Sequence, residues 1–164
     1  MTRQTAFVPV FIVLLSYSVL CGYSNNTLEK AEQIQTTNKK ENIIKEKLDL
    51  QLTIFNVKKY IYENNFKCPV IVIKQCLWES GHLTSYRAVN DNNIIGLRKA
   101  KGRKTYATGE RNQHATFNSW QECLKDYYLL QLQFKGNTEQ EYYLWLKPYA
   151  EDSTYIPKIK NVRI

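Results

Sequence analysis

The sequence predicts a mainly helical α+β domain that carries one small β-hairpin lobe. Apolar residues recur at helical spacing over residues 46–64 and 69–78, and again after residue 119. Between these helical stretches, residues 94–117 contain three glycines and short β-prone runs, which are typical of a hairpin rather than a large sheet. At 164 residues, the chain has room for one such domain.

Residues 1–24 have the pattern of an export signal. Arg3 supplies a positive end, and Ala6–Leu20 is almost purely apolar. This run is too short for a comfortable membrane span, and Pro9 interrupts it. We therefore expect the protein to leave the cytosol and to be periplasmic, membrane-anchored or otherwise associated with the cell envelope.

Two ways of processing this signal remain open. Cleavage after Ser24 satisfies the small-x-small rule together with Gly22. Alternatively, Cys21 is a lipidated first residue that attaches the protein to a membrane. The lipoprotein pattern is a loose match, because Leu20 is large where such signals usually have a small residue.

Residues 25–45 are rich in Asn, Thr, Lys, Glu and Gln and contain few apolar residues. Such a segment cannot bury enough surface to fold alone, so we interpret it as a polar tether. The folded domain is then expected over residues 46–164. Its first helix is predicted over residues 46–64, where aliphatic and aromatic residues form a broad apolar band.

The next helix is predicted over residues 69–78, because proline suits its first turn and Gly81 suits its end. Glu79 closes this helix and shares one face with Val72 and Cys76. A carboxyl group at the edge of a core is partly desolvated, which raises its pKa and makes it a usable general acid near neutral pH. A solvated glutamate in the last helical turn is the alternative interpretation.

The remaining elements follow from capping signals. After the hairpin lobe, Ser119–Glu122 is a capping box that opens a helix through Phe134. Thr138–Glu141 is a second capping box, and Pro148 ends the helix that it opens. A last short helix is predicted over residues 153–163.

Three cysteines remain after export. Cys68 and Cys76 would lie about 12 Å apart on one helix, beyond the reach of about 7 Å that a disulfide allows between Cα atoms. Either of them can still pair with Cys123, and the odd number leaves at least one free thiol. Cys68 at a helix start, where the dipole lowers a thiol pKa, could act with His82 or His114 as a cysteine peptidase, but no local sequence supports this.

The chain is basic, with a formal charge of +8 and a pI near 9.3, so it will be drawn to polyanions. No RNP-like aromatic motif, zinc spacing or uninterrupted basic run favours nucleic acid as the partner. His82 and His114 are far apart, and no His-Glu-x-x-His motif occurs. We therefore expect a monomer that uses no metal, no cofactor and no nucleic acid.

Three ordered segments resemble the glucosaminidase family of peptidoglycan hydrolases, of the bacterial autolysin and flagellar-muramidase type. They are Leu77–Gly81, Asn92–Arg98 and Tyr149–Tyr155. That family has a catalytic Glu followed by Ser at a helix end. It then has an Asn-x-x-Gly-x-Lys/Arg segment and a late Tyr-Ala-x-Asp-x-x-Tyr segment. The resemblance covers roughly residues 68–164 and implies a lysozyme-like fold in which the hairpin lobe stands beside a catalytic cleft.

The resemblance implies that Glu79 is the general acid. Breaking a glycosidic bond also requires a group that stabilises the oxocarbenium-like centre or activates water. Glu110, in a turn with Gly109, is the candidate for this second catalytic role. An exposed glutamate paired with Arg111 is the alternative, and a neighbouring acetamido group of the substrate can replace a second carboxylate.

The same resemblance assigns four residues to substrate binding. Tyr149 and Tyr155 each offer a flat apolar face to a sugar ring and a hydroxyl that can bond to it. Asn93 and Gly96 are expected to shape the site rather than to take part in the chemistry. Asp152 also matches the late segment, and the alternative is that it caps the last helix.

The sequence therefore predicts an exported endo-β-N-acetylglucosaminidase that cuts the β-1,4 bonds of peptidoglycan glycan strands after N-acetylglucosamine. Three alternatives remain: an endo-glycosidase acting on glycoprotein glycans, a non-catalytic cell-wall-binding module with the same fold, and a polyanion-binding protein.

Overall fold

The computed structural model describes residues 11–149 and 152–164, and for residues 11–29, 31 and 149 it describes the backbone alone. Several sequence-based predictions therefore lie outside the described residues. They concern the first ten residues of the export signal, the side chains of Cys21 and Tyr149, and Ala150 and Glu151.

The chain divides into two compact units, one up to Asp49 and one from Leu50 to Ile164. Helix α1 (Phe11–Leu50) makes up the described part of the first unit. Residues 32–48 of this helix are exposed, so they bury no core, but the predicted tether is helical rather than irregular. The physical reason is that no glycine or proline follows Gly22 in α1, whereas Lys, Glu and Gln favour helix. In the described part of the chain, no helix combines the length and the apolar character that a membrane span requires.

The second unit is mainly helical and contains one antiparallel hairpin, which confirms the predicted fold class. Its elements are α2 (Ile54–Glu63), α3 (Pro69–Glu79), α4 (Tyr86–Asn90), β1 (Gly109–Arg111), β2 (His114–Thr116), α5 (Trp120–Gln131), α6 (Glu139–Leu146), a 3₁₀ turn (Lys147–Tyr149) and α7 (Tyr155–Asn161).

The single helix predicted over residues 46–64 is wrong, because α1 ends at Leu50 and a new helix begins at Ile54. Thr53 causes the break by taking extended backbone angles and accepting a hydrogen bond from the Asn56 N–H at 3.2 Å. The helix predicted through Phe134 ends earlier, at Gln131.

The two capping boxes have different outcomes. At Thr138 the box is complete, with Glu141 bonding back to the cap. At Ser119 only half of the box forms: the Ser119 hydroxyl accepts the Glu122 N–H, but the Glu122 carboxylate accepts from the Asn118 N–H instead.

Helix α3 is the main support of the core, since six of its eleven residues are buried, and it packs against α2 and α7. The core around it is formed by Val57, Ile61, Leu124, Tyr142, Leu146 and Ile159. Burying an aliphatic side chain of this size contributes about 1.5–3 kcal/mol. Packing of this extent fixes the axis of α3 and with it the position of Glu79 at its end.

The hairpin is small, with three residue pairs in register: Gly109 with Thr116, Glu110 with Ala115, and Arg111 with His114. It is fastened to the loop that precedes it by the Ala115 N–H, which donates to the Leu97 carbonyl at 2.8 Å. Arg111 also forms an ion pair with buried Asp91 at 3.1 Å. These contacts hold the lobe beside the end of α3.

The segment between Leu97 and β1 has no regular secondary structure, and Asp126 of α5 holds it in place. The buried Asp126 carboxylate accepts two hydrogen bonds from Arg103, at 3.1 and 2.9 Å, and one from the Tyr106 N–H at 2.8 Å. Burial alone would raise the pKa of Asp126, but these hydrogen bonds outweigh it and hold the pKa below its usual range.

Candidate active site

Glu79 lies at the end of α3 and lines a cleft of about 550 Å³. The turn that follows it is fixed by Ser80, which is fully buried. The Ser80 hydroxyl donates to the Cys76 carbonyl and accepts from the Leu83 N–H at 2.7 Å. Ser80 thus ends the helix in one defined way and leaves the Glu79 side chain directed into the cleft.

Gly96 brings its backbone directly against the Glu79 carboxyl. A Cβ at this position would lie 3.1 Å from Glu79 Oε2, and the Gly96 φ angle of +72° is one that L side chains rarely adopt. The close backbone approach predicted for Gly96 is therefore present, and the backbone that it brings in faces Glu79.

Some neighbours of Glu79 raise the pKa of its carboxyl, and others lower it. Burial is the largest effect and raises the pKa of the carboxyl above its usual value. A hydrogen bond from Tyr155 and the nearby Arg87 and His114 lower the pKa and offset part of this rise. A half-buried carboxyl with a raised pKa keeps its proton at higher pH than a solvated one, as a general acid requires.

Tyr155, at the start of α7, connects the late segment to Glu79. Its hydroxyl accepts a hydrogen bond from Gln75 Nε2 at 3.2 Å. The same hydroxyl stabilises the charged Glu79 carboxyl and lowers its pKa. Burial and the neighbouring Glu79 carboxyl raise the pKa of the Tyr155 hydroxyl far above its usual value. Tyr155 therefore stays protonated and serves as a donor to Glu79.

The cleft wall mixes apolar and basic side chains. Trp78 and Trp145 contribute flat surfaces, while Arg98, Lys99 and Lys158 contribute cations. Trp78 is 43% exposed, and the Lys158 ammonium stands 5.7 Å from its ring centre. The arrangement suits a ligand that has flat sugar rings and negative charges.

Asn93 is 1% exposed and faces the protein rather than the cleft. Its amide group donates to the carbonyls of Leu97 and Ala115, both at 2.8 Å. Its oxygen accepts from the Leu97 N–H at 2.9 Å and the Cys123 thiol at 3.7 Å. With both donors and both lone pairs engaged, Asn93 has no capacity left for a substrate. Asn93 therefore holds the loop in place, and the contact with substrate predicted for it has no support from this geometry.

Glu110 is not brought together with Glu79 in the cleft wall. It is exposed on β1 and is not among the cleft-lining residues of the described chain. The pairing considered for it with Arg111 does not form either, because Arg111 pairs with Asp91 and donates to the Tyr86 hydroxyl. Its catalytic role stays a prediction without geometric support.

The late segment is placed in part. Asp152 lines the cleft, but its carboxylate accepts from the Thr154 N–H at 2.8 Å and from Lys158, which holds its pKa far below the usual range. Asp152 thus shapes the turn before α7. For Tyr149 only the backbone, in the 3₁₀ turn, is described.

Sequence reasoning missed three neighbours of the acid. His114 is half-buried and lines the cleft. Gln75 lies four residues before Glu79 in the same helix, so spacing alone indicates that the two side chains are neighbours. Arg87 carried no such signal, because it reaches Glu79 from the separate helix α4.

The cysteine-based alternative finds no support. The expected lowering of the Cys68 thiol pKa is wrong: burial and the nearby Glu139 raise it. Cys68, Cys76 and Cys123 are all free thiols in the structure. Within the described residues, no three His, Cys, Asp or Glu side chains converge as metal ligands.

Comparisons with known proteins place this geometry in context. A family model described as "Glucosaminidase: Mannosyl-glycoprotein endo-beta-N-acetylglucosaminidase" matches residues 58–163. No curated protein sequence gives a significant match. Among solved structures, the catalytic domain of the autolysin Auto from Listeria monocytogenes is similar, with 18% sequence identity and a TM-score of 0.48. The similarity covers 74% of this chain and 90% of that one.

Proposed function

This chain belongs to the glucosaminidase family of glycoside hydrolases, and from that membership we propose that it cleaves peptidoglycan. In this proposal it hydrolyses the β-1,4 bond that follows N-acetylglucosamine, and Glu79 is the general acid. The carrying observation is a half-buried carboxyl at a helix end, with a raised pKa, in a cleft of about 550 Å³.

The first step needs a proton on the leaving oxygen. Protonated Glu79 gives its proton to the glycosidic oxygen as the bond from the anomeric carbon to that oxygen breaks. The carboxylate that remains is stabilised by Tyr155 and by the nearby Arg87 and His114. It can then take the proton of the incoming water, which restores the acid.

For the second step we favour the acetamido group of the substrate itself. Among the described residues that line the cleft, Glu79 and Asp152 are the acidic ones. Asp152 is engaged by Thr154 and Lys158, so it offers no free carboxylate to the anomeric carbon. An acetamido oxygen on the same sugar can stabilise that carbon before water attacks. Glu110 would have to move to take this role.

The basic character of the molecule supports peptidoglycan over a neutral glycan. The formal charge is +8, and Arg98, Lys99 and Lys158 line the cleft. Peptidoglycan strands carry carboxylates on their stem peptides, whereas a high-mannose glycan carries no charge. Complementary charge raises the rate of encounter and the preference for the anionic polymer.

Export and substrate contact by Tyr149 belong to the same proposal. The mass of the mature N-terminus separates a lipidated Cys21 from a chain that begins at Asn25, and an intact Met1 on a cytosolic species would exclude both.

For Tyr149, comparison of Tyr149→Phe with Tyr149→Ala separates a hydroxyl role from ring stacking, and wild-type kinetics in both would remove it from the site.

Product analysis tests the function directly. Purified peptidoglycan and a high-mannose glycoprotein are digested in parallel, and the new reducing ends are reduced with borohydride and identified by mass spectrometry. The proposal predicts reduced N-acetylglucosamine from peptidoglycan and no release of glycan from the glycoprotein. Reduced N-acetylmuramic acid would identify a different bond, and binding without any product would indicate a wall-binding module.

A further inference from the structure

A continuous series of buried hydrogen bonds runs from the far side of the core to Tyr155, which interacts with Glu79. It passes through Gln131, Tyr142, Tyr127, Gln75 and Tyr155. The four links between these residues measure 2.7, 2.8, 2.8 and 3.2 Å. The Tyr155 hydroxyl in turn stabilises the charged Glu79 carboxyl and lowers its pKa. Gln131, Tyr142, Tyr127 and Gln75 are each at most 3% exposed, so bulk water does not compete for these groups.

The far end of the series is fixed by the protein backbone. The Lys67 N–H, which can only donate, bonds to Gln131 Oε1 at 2.8 Å. The Gln131 amide group therefore points its Nε2 at the Lys67 carbonyl and at the Tyr142 hydroxyl. The orientation of this amide follows from the peptide that it contacts rather than from an arbitrary choice between oxygen and nitrogen.

Each following link has one permitted direction. Among the described residues, Gln131 and Tyr127 are the partners of the Tyr142 hydroxyl. Gln131 Nε2 can only donate, so Tyr127 is the one acceptor left for the Tyr142 proton. Tyr127 then donates to Gln75 Oε1, which directs Gln75 Nε2 at Tyr155. Gln75 Nε2 cannot accept a proton, so the Tyr155 proton is left to interact with the Glu79 carboxyl, whose pKa it lowers.

We propose that Gln131, Tyr142, Tyr127 and Gln75 are positioning residues of the active site, which act as a one-way hydrogen-bond chain that makes Tyr155 a donor to Glu79. Aligned hydrogen bonds polarise one another in a buried setting, so the last bond is strengthened by those behind it. The role of this hydrogen-bond chain in catalysis rests on the proposed function. Its geometry does not, because the hydrogen bonds are present whether or not Glu79 is the acid.

Besides the hydrogen-bond chain, other charged and titratable groups face Glu79. These are Arg87 from α4, His114 from β2, and Cys76 on the same helix. Arg98, Lys99, Arg103, Asp152 and Lys158 line the same cleft. The substitutions used below leave all of these groups in place, so a change in the titration of Glu79 reports the chain itself.

Tyr127→Phe breaks the chain at its middle. Without the Tyr127 proton, nothing fixes the Gln75 amide, and a flipped amide presents Oε1 to Tyr155 and draws the Tyr155 proton away from Glu79. Since that proton stabilises the carboxylate, its loss favours the protonated form. We expect the Glu79 titration midpoint to move to higher pH. Tyr142→Phe removes only the alignment behind Tyr127, so its shift should have the same sign and be smaller.

The experiment titrates carboxyl-labelled glutamate by NMR in the intact protein, with Glu79→Gln identifying the Glu79 signal. Tyr128→Phe is the matched control. It makes the same chemical change one residue along α5, at a ring that packs edge-on against Phe66 at 5.2 Å and lies outside the chain. The basic limb of the pH profile of kcat/KM is measured for the same variants.

If the hydrogen-bond chain acts as proposed, Tyr127→Phe moves the Glu79 NMR midpoint and the basic limb of kcat/KM to higher pH. Tyr128→Phe moves neither of them. Tyr127→Phe causes no additional shift when it is combined with Tyr155→Phe. A wild-type Glu79 midpoint in folded Tyr127→Phe protein would overturn the proposal. If that variant fails to fold, an unmoved midpoint in Tyr142→Phe overturns it equally. The titration needs no turnover, so an inactive protein with a moved midpoint refutes the function alone, and an active protein with unmoved midpoints refutes the chain alone.

Discussion

At the scale of single residues, the balance of forces on Glu79 decides whether it can work as an acid. Burial raises its pKa, while Tyr155, Arg87 and His114 limit the rise. A carboxyl group that was buried without these partners would hold its proton too strongly to release it to the leaving oxygen. The site therefore combines a core-facing position with a small number of donors and cations.

Tyr155→Phe tests this balance. Removing the hydroxyl removes a group that lowers the Glu79 pKa, so the pKa should rise further above its usual value. Activity requires protonated Glu79 and is lost as pH rises through that pKa. The basic limb of the kcat/KM profile should therefore move to higher pH, whereas an unmoved limb would show that Tyr155 does not act on Glu79.

Gly96→Ala tests the close approach of the loop. The added methyl would lie 3.1 Å from Glu79 Oε2, and the φ angle of +72° costs a non-glycine residue about 1–2 kcal/mol. We expect a loss of unfolding free energy of that size together with a fall in kcat. Gly102→Ala is the control, because a methyl there meets nothing within 4 Å. Equal effects of the two substitutions would refute a specific role for Gly96.

Some of these residues could be predicted and others could not. Glu79 follows from helical periodicity and a helix stop, and Gly96 from a recognisable segment. The rings of Tyr127 and Tyr142 are buried in the core, but their hydroxyls belong to a polar series that joins α3, α5 and α6. Periodicity shows which side of a helix is buried and not which polar atoms meet there.

At the scale of elements, the irregular segment between Gly96 and β1 depends on one buried ion pair. Asp126 has no exposed side-chain surface, and Arg103 retains 19%. Arg103→Ala leaves a buried carboxylate without its cation, which typically costs about 3–5 kcal/mol. We expect a loss of unfolding free energy of that order at neutral pH in urea denaturation, with Lys104→Ala, an exposed neighbour, as the control.

The pH dependence of this loss has a defined sign. The folded-state pKa of Asp126 is depressed, so the stability it contributes is present above the unfolded value of about 3.9 and is lost as pH falls through the folded value. The deficit of Arg103→Ala should therefore be largest near neutral pH and shrink in acid. A deficit that stays constant across this range would show that the ion pair is not its cause.

Local sequence signals fixed most element starts and fewer ends. Pro69, Thr138 and Gly81 mark their helix ends as expected, because each supplies or removes a specific backbone group. The break at Thr53 was missed since the apolar band continues across it. The hairpin was expected, but only three residues in each strand pair, because the rest of the segment is held by Asp126 instead of by a partner strand.

At the scale of the whole molecule, the order of three segments predicted the family before any contact was known. The core of the second unit brings all three segments together: Gly96 approaches Glu79 from one side, and Tyr155 interacts with it from another. The second catalytic residue predicted, Glu110, is not part of the described cleft wall, because its backbone position in the short hairpin leaves it exposed. Long-range convergence of this kind is set by packing and cannot be obtained from spacing.

The most direct test of the account is the rate at which Glu79→Gln clears purified peptidoglycan. The substitution keeps the shape of the side chain and removes the transferable proton. Loss of a general acid typically lowers turnover by about 10²–10⁴-fold, and the account predicts a loss in that range with the melting temperature of the folded protein maintained. A folded Glu79→Gln protein that clears peptidoglycan at the wild-type rate would contradict it.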